Sequence, residues 1–355
     1  MYDLIMPVGG KSSRFAGTRP KWLLTHPEGD LMFYEALRGL DLSVFDRIFI
    51  TCLREHDEQF HCVQAINNQV AKRGLEGKVK IIVLPEATRH QPETVAETIK
   101  RGEIHGAFVV KDSDNYFELT PEPVNFVAAY DVTKLPHDSG INVFNKSYVQ
   151  ENANGLITNM AEKQVISNWI SVGAYGFESA KTFMGYYDKL SAENNLYLSH
   201  IIYSMILDNH SFVAKQSKNY LDWGTLDDWL RYCAQYATIF TDLDGTLVKS
   251  SSEFFDPIWG TTEGLKENIA ALNALYDSGK VRIIITTTRK LSFKDATLAQ
   301  LKREGIKYHD IIFELNHSKR ILINDYAATN PYPACSAINI ARNSAQLEAM
   351  LKGTL

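Results

Sequence analysis

Two stretches of the chain place charged residues and glycines where phosphate chemistry needs them. In the first, Pro7-Val-Gly9-Gly10-Lys11-Ser12-Ser13-Arg14 follows an apolar run and leads on to Pro20-Lys21. The glycine pair permits a tight turn whose backbone N–H groups can face an anion, and the residues after it offer hydroxyls and cations to a polyphosphate. The pattern is neither GxxxxGK[ST] nor GxGxxG. A glycine pair after a strand is by itself an ordinary turn; Arg14 and Lys21 at fixed distance beyond it favour a phosphate cradle. In the second stretch, Ile239-Phe-Thr-Asp242-Leu-Asp244-Gly-Thr246, two carboxylates stand two residues apart at the end of an apolar run. Strand alternation points them to one side, and where the chain turns both can face a common phosphate and metal. Further acids that could join such chemistry are Asp112 and Asp114 in Val110-Lys-Asp-Ser-Asp114, and Asp222 in Leu221-Asp222-Trp-Gly224-Thr225.

The first set resembles the sugar-phosphate nucleotidyltransferases over most of residues 1–235. Its opening reads as GGxxxRxxxxxPK. Asp114 sits where that family holds its catalytic magnesium, Glu162-Lys163 followed by Gly173-Ala-Tyr-Gly-Phe177 resembles the EK and GxYxF elements, and Asp222 falls in the second acidic motif. The resemblance implies attack on the α-phosphorus of a nucleoside triphosphate by the phosphate oxygen of a sugar or polyol phosphate, with loss of pyrophosphate. Two anions must meet, so charge neutralisation and in-line positioning matter more than a covalent nucleophile. Asp114 and Asp222 would hold one Mg²⁺ in a hard-oxygen site with Asp112 as a neighbour. Arg14 and Lys21, with Gly9, Gly10, Lys11, Ser12 and Ser13, would carry the triphosphate, and Lys163 beside Glu162 would meet the acceptor's phosphate. Gln91-Pro92-Glu93-Thr94 looks like the family's helix opening near the base. CTP is slightly favoured among the nucleotides.

Some of these residues have structural alternatives. Asp112 could cap a following helix, Glu162 and Lys163 could be a solvated strand pair, and Pro92 and Glu93 suit any helix N-terminus. His56, His61 and His90 show no paired ligand spacing and read as surface or helix residues.

The second set resembles the haloacid dehalogenase superfamily phosphatases. Asp242 would attack phosphorus and Asp244 would act as acid and base. Thr287 in Ile283-Ile-Ile-Thr-Thr287-Thr-Arg289 would bind the phosphoryl group, and Asn324-Asp325 after Arg320-Ile-Leu-Ile323 would complete a second Mg²⁺ site with Asp242 and Asp244. Two departures stand out: Asn324 replaces a frequent acid, and the third-motif lysine lacks its usual context, leaving Lys319 as the nearest candidate and Lys290 as the next. Only about 40 residues separate Thr246 from Thr287, which excludes a large cap. The alternative for this half is a catalytically silent scaffold or regulatory binding module.

The elements that must position these residues follow from periodicity. Asp3 to Met6, Arg47 to Thr51, Val79 to Leu84 and Ala107 to Val110 read as buried strands, with an amphipathic helix from His56 to Arg73 among the segments between them. Ile141 to Phe177 reads as an antiparallel excursion. A helical LDDWLRYCAQY leads to a strand at Ala237 to Thr241, and a second βαβ series continues through a helix at Gly264 to Ser278 and strands at Arg282 to Ile285 and Arg320 to Ile323. The expected fold is α/β: a Rossmann-like nucleotidyltransferase domain with a mixed, mainly parallel sheet over 1–236, then a capless dehalogenase-like Rossmannoid domain over 237–355.

At 355 residues the chain suits two domains, and its net charge of −5 argues against nucleic acid as a partner. Four cysteines without a CxxC pair, no leader pattern and no spanning apolar run predict a cytoplasmic protein with no membrane insertion. Sequence and resemblance together suggest a bifunctional enzyme of bacterial surface polysaccharide (capsule or lipopolysaccharide) synthesis. Base, acceptor and oligomeric state are not readable from the residues.

Overall fold

Runs of apolar residues buried on both faces build the first sheet. The computed structural model describes residues 2–10, 19–136, 139–251, 258–325 and 334–354, and the chain divides into two compact units, Met1–Leu230 and Arg231–Leu355. In the first unit β1 (Tyr2–Pro7), β2 (Phe45–Leu53), β3 (Val79–Leu84) and β4 (Phe108–Lys111) lie parallel in the order β4-β1-β2-β3. Leu4, Ile5, Met6, Ile48 and Ile50 are fully buried, as a sheet covered on both faces requires. Leu4 and Met6 face a core that includes Trp22 and Phe33, while Ile5 faces a second core with Val95 and Phe108.

The covering helices are α1 (Met32–Arg38), α2 (Arg54–Phe60), α3 (Cys62–Lys72) and α4 (Gln91–Arg101). The single helix expected from His56 to Arg73 is two. His61 adopts a left-handed φ of 52° that ends α2, and the Asp57 carboxylate accepts the Val63 N–H at 2.9 Å to restart the chain as α3. His56, expected as a surface or helix residue, lies in α2 and is buried.

Beyond β4 the chain runs through β5 (Asn115–Glu118), β6 (Phe126–Asp131), β7 (Ser147–Glu151), β8 (Ile157–Glu162) and β9 (Trp169–Phe177). Strand β9 runs against both β4 and β6, and β7 pairs antiparallel with β8 and β9, so the region from Ile141 to Phe177 is antiparallel as its alternation predicts. Helices α5 (Ala180–Leu190) and α6 (Leu198–Leu207) precede β10 (Val213–Gln216), which lies parallel to β6 and completes a nine-stranded mixed sheet. Strand β11 (Lys218–Asp222) leaves this sheet to pair antiparallel with β5. Helix α7 (Leu226–Cys233) follows.

The second unit has a three-stranded parallel sheet in the order β12 (Ala237–Asp242), β13 (Val281–Thr286), β14 (Asp310–Ile312). Helices α8 (Lys266–Asp277) and α9 (Lys294–Glu304) connect the strands, and α10 (Leu347–Lys352) adds Leu347 and Leu351 to a core around Leu243, Ile283, Ile285 and Leu301. The strand expected at Arg320 to Ile323 does not form; Ile321, Leu322 and Ile323 are irregular and exposed, Ile323 by 91%. Strand propensity reports packing against neighbours more than a backbone preference, and these residues have no ladder partner among the described residues.

Candidate active site

The site of the first unit begins where β4 ends. Lys111 is fully buried, and its ammonium donates to the carbonyls of Asp112 (2.8 Å) and Asn115 (3.1 Å) and to the Asn115 side chain, which folds the Asp112-Ser-Asp114 turn back on itself. Burial holds this ammonium below the ordinary lysine range. Asp112 caps no helix, since β5 follows; its N–H donates to the Gly173 carbonyl at 2.8 Å. Gly173 has a φ of +84°, and a Cβ there would lie 2.5 Å from the Asp112 carboxylate, so only glycine fits in the GxYxF element.

The β5–β11 ladder then closes the distance between remote acids. Asn115 is opposite Asp222, and Trp223 N–H donates to the Asp114 carbonyl at 2.8 Å. Asp114, immediately before β5, and Asp222, at the end of β11, are thus neighbours, and each is ion-paired to a lysine: Asp114 to Lys21, and Asp222 to Lys146. Burial raises the pKa of Asp112, with Asp114 adding to the shift, and burial also raises that of Asp222 against the pull of Lys146. Lys146 has no sequence motif to announce it. It comes to the site only because β7 starts beside the end of β11's acidic motif.

A cavity of about 830 Å³ opens on these residues, lined by Gly10, Lys21, Gln91, Asp112 and Asp114 on one part and by Asn194, Asn195 and Tyr197 on another. Gln91 donates its amide to Asp112. It begins α4, whose N-cap is His90, with its Nδ1 accepting the Glu93 N–H at 3.2 Å. Glu93 in turn pairs with Arg89 at 2.9 Å, so the helix opening has a structural logic of its own besides facing the cavity. Gly9 packs against Thr94 of the same helix. Lys11, Ser12, Ser13 and Arg14 lie outside the described residues.

Glu162 and Lys163 are not an idle strand pair. Ser147 donates to Glu162 at 2.6 Å and Ser199 donates to it as well, tying β8 to β7 and α6. Lys163 follows at a φ of 54°, exposed, with its ammonium 5.8 Å from the Tyr197 ring that lines the cavity. The donor set at Asp114 and Asp222 suits a magnesium-like ion: carboxylate oxygens from the turn before β5 and the end of β11, each paired with a lysine on a flexible stem.

The second unit gathers its charges differently. Arg289 is fully buried and donates to both oxygens of Asp244 at 2.7 and 2.9 Å, and also to Thr297 and Gln300 at 3.0 and 2.8 Å. Arg320 donates to Asp242 at 2.9 Å. Thr287 is buried, with its N–H on the Ile312 carbonyl and its hydroxyl accepting the Arg289 N–H at 3.2 Å. Asn324 is exposed and donates to the Ala334 carbonyl at 3.4 Å, and Asp325 and Lys319 are exposed. Among the described residues no hydrogen bond brings Lys319, Asn324 or Asp325 to Asp242 or Asp244. Among the described residues Asp242, Asp244 and Asp325 do not form a group within mutual metal-ligating distance.

No family model and no curated protein matches the sequence. Among solved structures the chain is similar to the nucleoside-diphosphate-sugar pyrophosphorylase from Vibrio cholerae RC9, with a TM-score of 0.54 and 19% identity over 64% of this chain and 98% of that one. It is also similar to the inositol-1-phosphate CTP transferase from T. maritima, with a TM-score of 0.52 and 12% identity over 64% of this chain and 91% of that one. The first unit therefore has a sugar nucleotidyltransferase-like fold. Among the described residues no helix is long and apolar enough to cross a membrane.

Proposed function

We propose that the first unit transfers a nucleotidyl group from a nucleoside triphosphate to a sugar or polyol phosphate, releasing pyrophosphate. The observation that carries this reading is the β5–β11 ladder, which brings Asp114 and Asp222 to adjoining strand ends, with Asp114, Lys21 and Gln91 lining one cavity. Lys21, with Arg14, Lys11, Ser12, Ser13 and the Gly9-Gly10 backbone, takes the triphosphate. Gln91 lies on the nucleotide side and also fixes Asp112. Lys163, set by the Glu162 anchor to Ser147 and Ser199, meets the acceptor's phosphate. A Mg²⁺ ion held by Asp114 and Asp222 would supply charge neutralisation at the α-phosphate. Acceptor and triphosphate are both anions, so the lysines do the remaining screening in a partly buried site where charge pairing is strong.

Similarity to the T. maritima inositol-1-phosphate CTP transferase makes CTP and a polyol phosphate the first pair to try. The test is a matrix of CTP, GTP, UTP and dTTP against sugar and polyol phosphates with Mg²⁺, read by pyrophosphate release. One productive pair supports the reading, and silence across the matrix removes it. The sequence resemblance suggests a product used in bacterial capsule or lipopolysaccharide assembly.

For the second unit the DxDGT resemblance suggests phosphomonoester hydrolysis through Asp242. The other reading, a silent scaffold or binding module, is favoured by a specific observation: Arg289 occupies both oxygens of Asp244, the residue that would have to donate and accept protons. Hydrolysis of p-nitrophenyl phosphate separates them. The silent reading expects equal background rates for wild type and Asp242→Asn, and a rate lost on that substitution restores the phosphatase.

A further inference from the structure

Asp222 is a carboxylate whose side chain is only 7% exposed, and a buried carboxylate without a counter-charge is costly. Its partner is Lys146, whose ammonium also stands 5.9 Å from the Tyr220 ring. Lys146 lies immediately before β7, and its carbonyl accepts the Lys163 N–H at 3.0 Å, so the two lysines leave adjoining backbone positions. The ladder confirms the placement, with Ser147 opposite Glu162. One lysine of the pair is exposed beside the cavity's Tyr197, and the other is turned onto Asp222.

Lys146 pairs with one oxygen of Asp222, so a divalent ion on this carboxylate competes for the same negative charge. Its pairing with Lys146 is then weakened, and a largely buried ammonium gains from a new anion. Lysine suits such an exchange, because its charge sits on a flexible stem with three freely turning donors. We infer that Lys146 is a second acceptor-phosphate ligand beside Lys163, and that Asp222 holds it in reserve until the metal arrives. Resting on the nucleotidyltransferase reading, this imposes an order: cation on Asp222 first, acceptor phosphate second.

The test uses binding alone, so it does not depend on turnover and fails independently of the pyrophosphate matrix. Mn²⁺ binding to the full chain is titrated by electron paramagnetic resonance, and inorganic phosphate binding is measured by equilibrium dialysis with and without Mg²⁺. Lys146→Met removes the competitor for Asp222 and is expected to bind Mn²⁺ more tightly, on the order of tenfold. The same variant loses the extra phosphate binding that Mg²⁺ confers on wild type. Lys146→Arg keeps the charge and stays near wild type in Mn²⁺ affinity. Lys215→Met is the control: Lys215 is equally covered (17% exposed against 18%) and ion-paired to Glu122 at 2.8 Å, and its loss should change neither reading. Should Lys146→Met fail to fold by circular dichroism, Lys146→Gln carries the same comparison. Unchanged or weaker Mn²⁺ binding on loss of Lys146, or phosphate binding that survives it, overturns the inference.

Discussion

The two units hold pairs of acids by opposite means. In the first, Asp114, which lines the cavity, is ion-paired to Lys21, and Asp222 is ion-paired to Lys146. In the second, Asp244 is gripped through both oxygens by a fully buried arginine whose remaining nitrogen is bound to Thr297 and Gln300. A lysine ammonium is a point charge on a flexible stem that can exchange one anion for another; a buried guanidinium fork bonded through all three of its nitrogens is part of the framework. The same elements, a strand end and a carboxylate pair, thus give an exchangeable site in one unit and a fixed brace in the other. Motif spelling alone does not tell them apart.

The largest effect expected from this contrast is at Asp114. Asp114→Asn should lower pyrophosphate release by roughly a thousandfold or more while the circular dichroism spectrum is unchanged, since it removes charge from the site without cutting the β5–β11 ladder. Retained activity would put the first unit's acids on the same structural footing as the second's. Next is the brace itself. Arg289→Met leaves Asp244 partly buried and unpaired, and urea unfolding of the second unit should shift by about 3 kcal/mol, with pyrophosphate release within about twofold of wild type. A loss well under 1 kcal/mol would mean the arginine is as replaceable as the lysines.

Acid probes the first unit in another way. Burial holds His26 down to about 4, below its ordinary value of 6.5, with Trp223 and Trp229 against its ring. The unfolded chain therefore binds a proton that the folded one refuses. Stability from this residue is intact above pH 6.5 and falls as pH drops toward 4, by about 2 kcal/mol once its incomplete burial is discounted. Tryptophan fluorescence during denaturation across that window should show the slope, and His26→Gln should flatten it. The last effect is at Lys21: Lys21→Ala should raise the KM for the triphosphate by about tenfold, since a phosphate-bound cation acts in ground and transition states alike.

How much of this the sequence carried depends on the range of the interactions involved. Strands β1 to β4 were legible because burial on both faces leaves continuous apolar runs, and Asp114, Asp222 and Lys21 were legible because each sits in a local motif. Lys146 was not, because its role arises from an ion pair with Asp222, 76 residues away, that no local spacing encodes. Arg289 was in view beside Thr287, but its grip on Asp244 depends on burial against Thr297 and Gln300 of α9. Arg320 to Ile323 misled in the other direction: its composition suits a strand, but a strand also needs a neighbour. Asp112 as a helix cap failed for a similar reason, since the chain after it enters β5.

The most direct measurement compares pyrophosphate release by wild type, Asp222→Asn and Asp242→Asn with Mg²⁺ and the best pair from the nucleotide and acceptor matrix. The account predicts that Asp222→Asn loses the reaction and that Asp242→Asn keeps it near the wild-type rate. Equal loss in both variants, or full activity in Asp222→Asn, would contradict it.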